Sequence, residues 1–255
     1  MELRTFGINT FVCYEEIVYD NSIVNKAYLI SNPKNVTIKG IPDACIDLQF
    51  VEFDGKIRIY LAGSHMHGQD AQIMNYQRVF GIRFQPGVQI SNWCREDFTF
   101  EELVESRWNI TEMLDMHCLI YKFQSCASFK ELLESFWKSD FWLLCKDRDY
   151  MVSYLMREVE KEKGNLNIAA LAEKTGYTQR YINRSCKDKI GFSLKKYAEI
   201  IRMQNALELL RQSSEEKIYD KLGYYDQAHF IHSFKDFTCV TPKKYQTSIE
   251  EIYFV

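Results

Sequence analysis

The sequence lacks the features that mark several large classes of protein. Proline is scarce, at 4 of 255 residues, and no apolar run approaches the ~18 residues that cross a bilayer. The first residues, 1–5, have neither the basic start nor the apolar stretch of a secretory signal. Collagen-like and transmembrane architectures are therefore poor interpretations, and we expect a cytoplasmic protein with no membrane partner. The remaining composition, 46% apolar and 26% charged, is typical of globular domains.

The sequence also lacks the motifs of common enzymes and metal sites. No two cysteines form a C-x-x-C pair, so the eight cysteines outline neither a zinc framework nor a small disulfide scaffold. We interpret them as reduced and mostly buried thiols. There is no glycine-rich phosphate loop and no Gly-x-Ser-x-Gly elbow. We therefore expect no catalytic residues, no cofactor and no enzymatic activity.

Charge is divided unevenly along the chain. Residues 148–246 hold 18 Lys and Arg against 13 Asp and Glu, a balance of +5, whereas the rest holds 14 against 22, a balance of −8. An acidic part joined to a basic part indicates two roles, one of which involves a polyanion.

The basic part contains an internal repeat. Residues 178–197 (TQRYINRSCKDKIGFSLKKY) and 226–245 (DQAHFIHSFKDFTCVTPKKY) align without gaps and share seven of twenty positions. Each copy follows a Gly-Tyr step, and the second has one extra turn residue, Tyr225. The alignment therefore predicts that one helical unit occurs twice in this part of the chain.

The first copy predicts a helix-turn-helix. Asn167 can cap a helix that begins at Ile168, Gly176 can end it, and Thr178 can cap the next. On that second helix the spacing places Tyr181, Ile182, Ser185 and Cys186 on an apolar back. The opposite front carries groups that hydrogen-bond guanine, adenine and phosphate in a major groove. The candidate DNA-binding residues of this unit are Thr178, Gln179, Arg180, Asn183, Arg184 and Lys187.

The second copy predicts the same arrangement with a less polar front. Asp226 is its cap, Phe230, Ser233 and Phe234 are its back, and Thr241-Pro242 begins a closing helix. Two front residues, Ala228 and Ile231, suit thymine methyl groups. The candidate DNA-binding residues of this unit are Gln227, Ala228, Ile231, His232 and Lys235.

The segment from Ser193 to Leu210 predicts a long connecting helix. It has two overlapping apolar stripes, one from Leu194 to Ile201 and one from Met203 to Leu210. One stripe can support the first unit and the other the second, which would place two recognition helices about one DNA turn apart, near ~34 Å.

These motifs resemble the C-terminal DNA-binding domain of the AraC/XylS family of transcription regulators. The residues that carry the resemblance lie between 150 and 246, and they are Leu171-Ala172-Glu173, Gly176-Tyr177, Gly191-Phe192-Ser193, Ala206-Leu207, Gly223-Tyr224-Tyr225-Asp226-Gln227, Phe234-Lys235 and Thr241-Pro242. The resemblance implies two helix-turn-helix units bridged by a long helix, each inserting a recognition helix into double-stranded DNA. The chain departs from the family pattern at Cys186, at Cys239 and in a short helix before Gly223.

The first hundred residues predict strands. Three β-rich segments, 36–38, 45–50 and 56–61, are followed by a fourth at 81–84, and Asp54-Gly55 is a strong hairpin turn. The segments 41–47 and 81–87 resemble the N-terminal domain of one branch of the same regulators, which implies a cupin-like sensing barrel. We expect it to bind a small-molecule or protein effector and to form a homodimer.

The remaining boundaries complete an α+β protein of two domains. The domains are 1–146, with helices from about 100, and 150–246; they are separated by a linker at 147–149 and followed by a tail at 247–255. An apolar stripe from Phe129 to Trp137 predicts a helix that either packs on the barrel or forms a dimer contact.

His65-Met66-His67 is the one metal-like feature. Two histidines at i and i+2 on a strand share a face. No Glu occurs in the twenty-eight residues that follow His67, so we predict no metal site, and a turn or pocket lining is the preferred interpretation. The alternatives to a transcription regulator are a cupin-type metal-binding protein and a module whose helices bind protein.

Overall fold

The computed structural model describes residues 13–31, 36–73, 76–90, 99–112, 117–126, 128–139, 145–146, 149–212 and 218–253. Of the predicted features, residues 141–144, residues 147–148 of the linker, and residues 216 and 217 lie outside these ranges. No helix in the described part of the chain has the length and apolar character that a bilayer crossing needs.

Among the described residues, strands predominate from Cys13 to Ile90 and helices from Tyr150 to Tyr253. The strands are β1 (Cys13–Val18), β2 (Val24–Ser31), β3 (Val36–Gly40), β4 (Ile46–Phe53), β5 (Lys56–Ala62), β6 (Gln69–Ile73), β7 (Arg78–Phe84), β8 (Gln89–Ile90), β9 (Arg107–Asn109) and β10 (Cys145–Lys146). The helices are α1 (Phe100–Leu103), α2 (His117–Ser125), α3 (Phe129–Trp137), α4 (Tyr150–Lys161), α5 (Ile168–Thr175), α6 (Gln179–Ile190), α7 (Leu194–Gln212), α8 (Ile218–Lys221), α9 (Gln227–Thr238) and α10 (Pro242–Tyr253).

Six of the strands form an antiparallel sheet in the order β1-β2-β7-β4-β5-β9, and β3-β6 and β8-β10 form two short antiparallel pairs. The predicted hairpin joins β4 to β5. Asp54 and Gly55 have φ angles of 50° and 68°, the positive values that a two-residue turn between twisted strands requires. The mixed α+β fold is thus confirmed, whereas a closed cupin-like barrel remains a prediction.

One face of the sheet packs against α3. The four apolar residues Phe129, Leu132, Leu133 and Phe136 are buried in the same core as Phe80 of β7. Packing on the sheet is therefore the correct interpretation of this stripe, since its apolar face is covered within the chain. The region from 100 to 146, predicted as helical, also contains β9 and β10, which are too short to give a strand signal in the sequence.

The C-terminal domain is built around α7. Both predicted stripes are buried: Leu194, Tyr197, Ala198 and Ile201 in one, and Met203, Ala206, Leu207 and Leu210 in the other. Helices α4, α6, α8 and α10 contact α7. The segment predicted as a tail continues α10 as far as Tyr253, because Pro242 begins a helix that runs through the boundary at 246.

The core of the C-terminal domain also includes three residues of the N-terminal domain. Ile41, Ala44 and Cys45, in the loop between β3 and β4, are buried in the same cluster as the residues of α7. The buried side chain of Gln204 donates a hydrogen bond to the carbonyl of Pro42 at 2.9 Å. We call residues 41–45 the docking loop.

A buried ion cluster holds the docking loop against the sheet. The Arg83 guanidinium on β7 lies 2.9 Å from Asp43 and 2.7 Å from Asp47. Burial would lower the pKa of Arg83, but the two carboxylates raise it well above its ordinary value. The hydroxyl of Ser64 accepts hydrogen bonds from the backbone N–H groups of Asp43 and Ala44. These contacts fix Asp43 and Ala44, at the middle of the buried docking loop.

Replacing Arg83 by Met should strongly destabilise the protein. Two buried carboxylates would lose their counter-charge, and the free energy of unfolding should fall by about 3–5 kcal/mol. Urea unfolding monitored by circular dichroism measures this loss. Arg58→Met on β5, an exposed position of the same sheet, is the matched control and should change stability by less than about 0.5 kcal/mol. Equal stabilities for the two variants would contradict the role given to the cluster.

Candidate nucleic-acid interface

The first helix-turn-helix unit, α5 and α6, begins and ends at the predicted residues. The Asn167 side chain accepts hydrogen bonds from the backbone N–H groups of Ala169 and Ala170 at 2.9 and 3.2 Å. Gly176 ends α5 with φ of 73°, and the Thr178 hydroxyl accepts from the N–H of Tyr181 to begin α6. Each cap satisfies backbone donors or carbonyls that a helix end leaves unpaired.

The buried side of α6 is a narrow stripe. Ile182, Cys186 and Ile190, each four residues from the next, are its buried residues, and burial raises the pKa of the Cys186 thiol to about 12. Tyr181, predicted on the back, is instead 50% exposed because it lies about 100° around the helix from Ile182. Its ring stacks on Tyr177 with 5.1 Å between centroids.

The predicted front of α6 is exposed at all but one position. Arg180, Arg184 and Lys187 are exposed, as are Thr178 and Gln179. Asn183 is half-buried, and its side-chain oxygen has no hydrogen-bond partner among the described residues. Because Asn183 is half-buried, the buried stripe of α6 extends further toward the front than the spacing predicts. The Asn183 side chain would have to turn outward to contact a base.

The second unit, α8 and α9, keeps the same plan with an aromatic interior. The Asp226 carboxylate accepts from the N–H of His229 at 2.7 Å and caps α9. Phe230, Phe234 and Phe237 are buried, and the Phe234 ring contacts Tyr245 of α10 at 5.6 Å between centroids. All five predicted front residues of this unit are exposed: Gln227, Ala228, Ile231, His232 and Lys235.

The connection between the units also follows the sequence. The hydroxyl of Ser193 accepts from the N–H of Lys196 at the start of α7, and that of Thr241 accepts from the N–H of Lys244 at the start of α10. The nineteen residues of α7 span about 28 Å at ~1.5 Å per residue. Helices α6 and α9 therefore occupy equivalent places in two units that share one supporting helix.

The N-terminal domain contacts the last turns of both α6 and α9. The Lys187 ammonium pairs with Glu101 of α1 at 2.7 Å. His67 Nδ1 lies 2.7 Å from Asp236 on α9, and the N–H of Gly68 donates to the Asp236 carbonyl at 2.9 Å. A Cβ atom at Gly68 would lie 2.5 Å from the Phe237 carbonyl oxygen, so only glycine allows this approach.

These interdomain contacts are the main feature that sequence reasoning missed. Glu101 and Lys187 are 86 residues apart, and His67 and Asp236 are 169 residues apart. No periodicity or local motif links residues at such separations. The charge imbalance between the two parts of the chain was the only signal that pointed to their attraction.

The two histidines of the metal-like motif have other partners. His65 contacts the side chain of Gln69, and burial lowers the pKa of its imidazole. His67 is turned toward Asp236. Within the described ranges, no group of three His, Cys, Asp or Glu residues is placed to hold a metal ion. The metal-binding alternative therefore gains no ligand set from the part of the chain that the structure describes.

Two capped helices with exposed fronts, carried by one buried helix, define a double helix-turn-helix protein. Comparison with known families agrees: a model described as a helix-turn-helix domain matches residues 171–248. The chain is 28% identical over 83 residues to the multiple antibiotic resistance protein MarA of Escherichia coli, covering 32% of this chain and 65% of MarA. It is 28% identical over 97 residues to an HTH-type transcriptional regulator of Haemophilus influenzae, covering 37% of this chain and 33% of that protein.

One solved structure is similar over nearly the whole chain. ToxT of Vibrio cholerae aligns with 92% of this chain and 98% of its own, with 14% identity and a TM-score of 0.42. The similarity to curated regulators lies in the C-terminal domain, which matches the helix-turn-helix family model and is similar to MarA.

Proposed function

We propose that the protein is a sequence-specific DNA-binding transcription regulator of the AraC/XylS type. One observation carries the proposal: α6 and α9 begin at equivalent caps, bury equivalent positions and keep their predicted fronts exposed, with Asn183 the exception. Helix-turn-helix proteins insert such a helix into the major groove, with its N-terminal residues against the base edges. A non-enzymatic role accords with this family.

The two units are expected to contribute differently to recognition. Arg180 and Arg184 on α6 can each donate two hydrogen bonds to guanine, the most selective contact in the major groove. The exposed front of α9 offers Ala228 and Ile231, which suit thymine methyl groups, and Gln227, which suits adenine. Lys187 and Lys235, at equivalent positions of the repeat, are the candidate phosphate contacts.

We also propose that the N-terminal domain controls DNA binding, as a cupin-like sensor of a small molecule or a partner protein. The support is the ion pair to α6, the hydrogen-bonding contact of His67 with α9, and the docking loop inside the C-terminal core. An effector that shifts the sheet can act on both recognition helices through these contacts. Homodimer formation is part of this proposal and draws on the family resemblance alone.

Replacing Arg180 or Arg184 by Ala should weaken binding to specific sites. Each loss should cost about 1–3 kcal/mol at sites selected by the wild-type protein from genomic fragments, and little at random duplexes. Fluorescence anisotropy with both kinds of DNA measures the difference. Arg157→Ala on α4, an exposed arginine outside the two units, is the matched control. Unchanged specific affinity in the Arg180/Arg184 double variant would contradict the assignment of α6.

Replacing Lys235 by Ala should weaken binding to every sequence alike. One lost phosphate contact reduces the slope of log K against log salt by about 0.9. Titrations of a random ~30-bp duplex at several salt concentrations give that slope. Lys161→Ala, which removes an exposed cation of α4 outside the two units, is the control. A slope that stays the same in Lys235→Ala would remove Lys235 from the interface.

Replacing Glu101 by Gln should strengthen DNA binding. The Glu101 carboxylate pairs with the Lys187 ammonium and so competes with a DNA phosphate for it. An exposed ion pair of this kind contributes up to about 1 kcal/mol. We expect a rise in affinity of about twofold to fivefold for a random duplex, abolished in the Glu101→Gln/Lys187→Ala double variant. Glu134→Gln, which removes an equal charge from an exposed pair on α3, should have no effect. If Glu101→Gln and the wild type bound DNA equally well, the proposal that α1 weakens DNA binding through Lys187 would be wrong.

A separate measurement tests the protein-binding alternative. The full chain is titrated with duplex DNA at increasing salt. Absence of salt-dependent binding would favour a module whose helices bind protein, whereas a steep salt slope would support the regulator.

A further inference from the structure

The turn before the second recognition helix exposes a large aromatic side chain. Tyr225 precedes the cap residue Asp226 and is 92% exposed. It is the residue by which the second copy of the repeat is longer than the first. Single exposed aromatic residues are common, so exposure alone assigns no role.

The neighbouring tyrosine shows that the extra residue is not needed for packing. The ring of Tyr224 lies 5.4 Å from Phe230 and 5.3 Å from His229 between centroids, and the Arg202 guanidinium covers it at 5.2 Å. Tyr224 thus supplies the aromatic contact that closes the unit. The insertion leaves Tyr225 outside, with no packing contact among the described residues.

The first unit also has a tyrosine directly before its cap, although there it belongs to the Gly-Tyr step that Gly223-Tyr224 repeats. Tyr177 precedes the cap residue Thr178, and it is 44% exposed because it stacks on Tyr181. A tyrosine therefore lies immediately before the cap of each recognition helix. Tyr177 is half-covered, whereas Tyr225 is almost fully exposed. In a helix-turn-helix this end of the helix enters the groove, where the preceding residue passes beside the sugar-phosphate backbone.

We propose that Tyr225 contacts the DNA backbone and positions α9 in its groove, an inference that rests on the proposed function. Its hydroxyl would donate a hydrogen bond to a phosphate oxygen while its ring packs on a deoxyribose. The second unit has particular use for such a contact. Its exposed front includes the apolar Ala228 and Ile231, and its cap is the anionic Asp226, which repels phosphate.

The charge of the side chain gives this contact a distinct experimental signature. A neutral phenol holds a phosphate without releasing a condensed cation, since counterion release follows the neutralisation of phosphate by Lys and Arg. Loss of Tyr225 should therefore lower affinity at every salt concentration and leave the slope of log K against log salt unchanged. Loss of Lys235 should change the slope.

The experiment measures binding of the full chain to a random ~30-bp duplex over a range of salt. We expect Tyr225→Ala to weaken binding about tenfold, or about 1.4 kcal/mol, with an unchanged slope, because the variant loses a hydrogen bond to a charged group. Tyr225→Phe keeps the ring and loses the hydroxyl, and it should lie between Ala and wild type. Tyr121→Ala, at a 71% exposed tyrosine of α2, is the matched control and should bind as wild type does. Thermal unfolding checks that all variants are folded.

The outcomes separate this inference from the function on which it rests. If the wild-type protein binds the duplex and Tyr225→Ala binds equally well, the inference is wrong and the proposed function stands. If the wild type does not bind any duplex, the proposed function itself fails. Retained DNA affinity together with lost transcriptional activity would place Tyr225 in a contact with a partner protein and would overturn the assignment to DNA.

Discussion

Burial of α7 on several sides is the constraint on which the rest of the structure depends. Ten of its nineteen residues are buried, including the polar Gln204. A helix covered to this extent must be surrounded by other elements, because each exposed stripe of apolar residues would cost solvation free energy. The two helix-turn-helix units provide part of the cover. The buried amide of Gln204 needs a hydrogen-bond partner, and the docking loop provides one in the Pro42 carbonyl.

The N-terminal domain is therefore part of the C-terminal core as well as a neighbour of it. Arg83 joins the docking loop to the sheet, since its guanidinium pairs with Asp43 of the loop and with Asp47 of β4. A buried cluster of this kind resists partial opening: separating either carboxylate from the guanidinium leaves an unpaired charge in the interior. In the proposed control mechanism, a displacement of the sheet would be passed through the loop to α7, which supports both helix-turn-helix units.

The sequence predicts the parts of this arrangement that local chemistry determines. Caps at Asn167, Thr178 and Asp226, and the turn at Asp54-Gly55, depend on a few adjacent residues, and each lies where it was expected. The α7 stripes follow from helical periodicity for the same reason. Periodicity failed at Tyr181, where the width of the buried stripe depends on which neighbours cover α6. Periodicity also gave no indication of strand β9 or of the burial of the docking loop, because both features depend on contacts between segments that are distant in the sequence.

The two copies of the repeat have diverged in ways that match different tasks. The first unit places a small thiol at Cys186 and a glycine at its helix end, where Gly191 has φ of 78° and lies against Phe100 of α1. The second places Phe234 and Cys239 at those positions, and Cys239 adopts φ of 63° without glycine's freedom. Gly191 allows α1 to approach closely enough for Glu101 to reach Lys187. A Cβ atom at this position would lie 2.7 Å from the Phe100 carbonyl oxygen and would prevent that approach.

That approach sets two demands on one lysine. If Lys187 contacts a phosphate as proposed, it cannot fully neutralise both that phosphate and the Glu101 carboxylate, so DNA and the N-terminal domain would compete for it. The pair is exposed and weak, which suits a contact that must open and close. The docking loop, in contrast, is buried and strong. Under the proposed function, an interface with a firm centre at α7 and weak polar contacts at α6 and α9 could remain assembled while the DNA-binding surface is released. This combination would give the acidic N-terminal half a physical means of controlling the basic one.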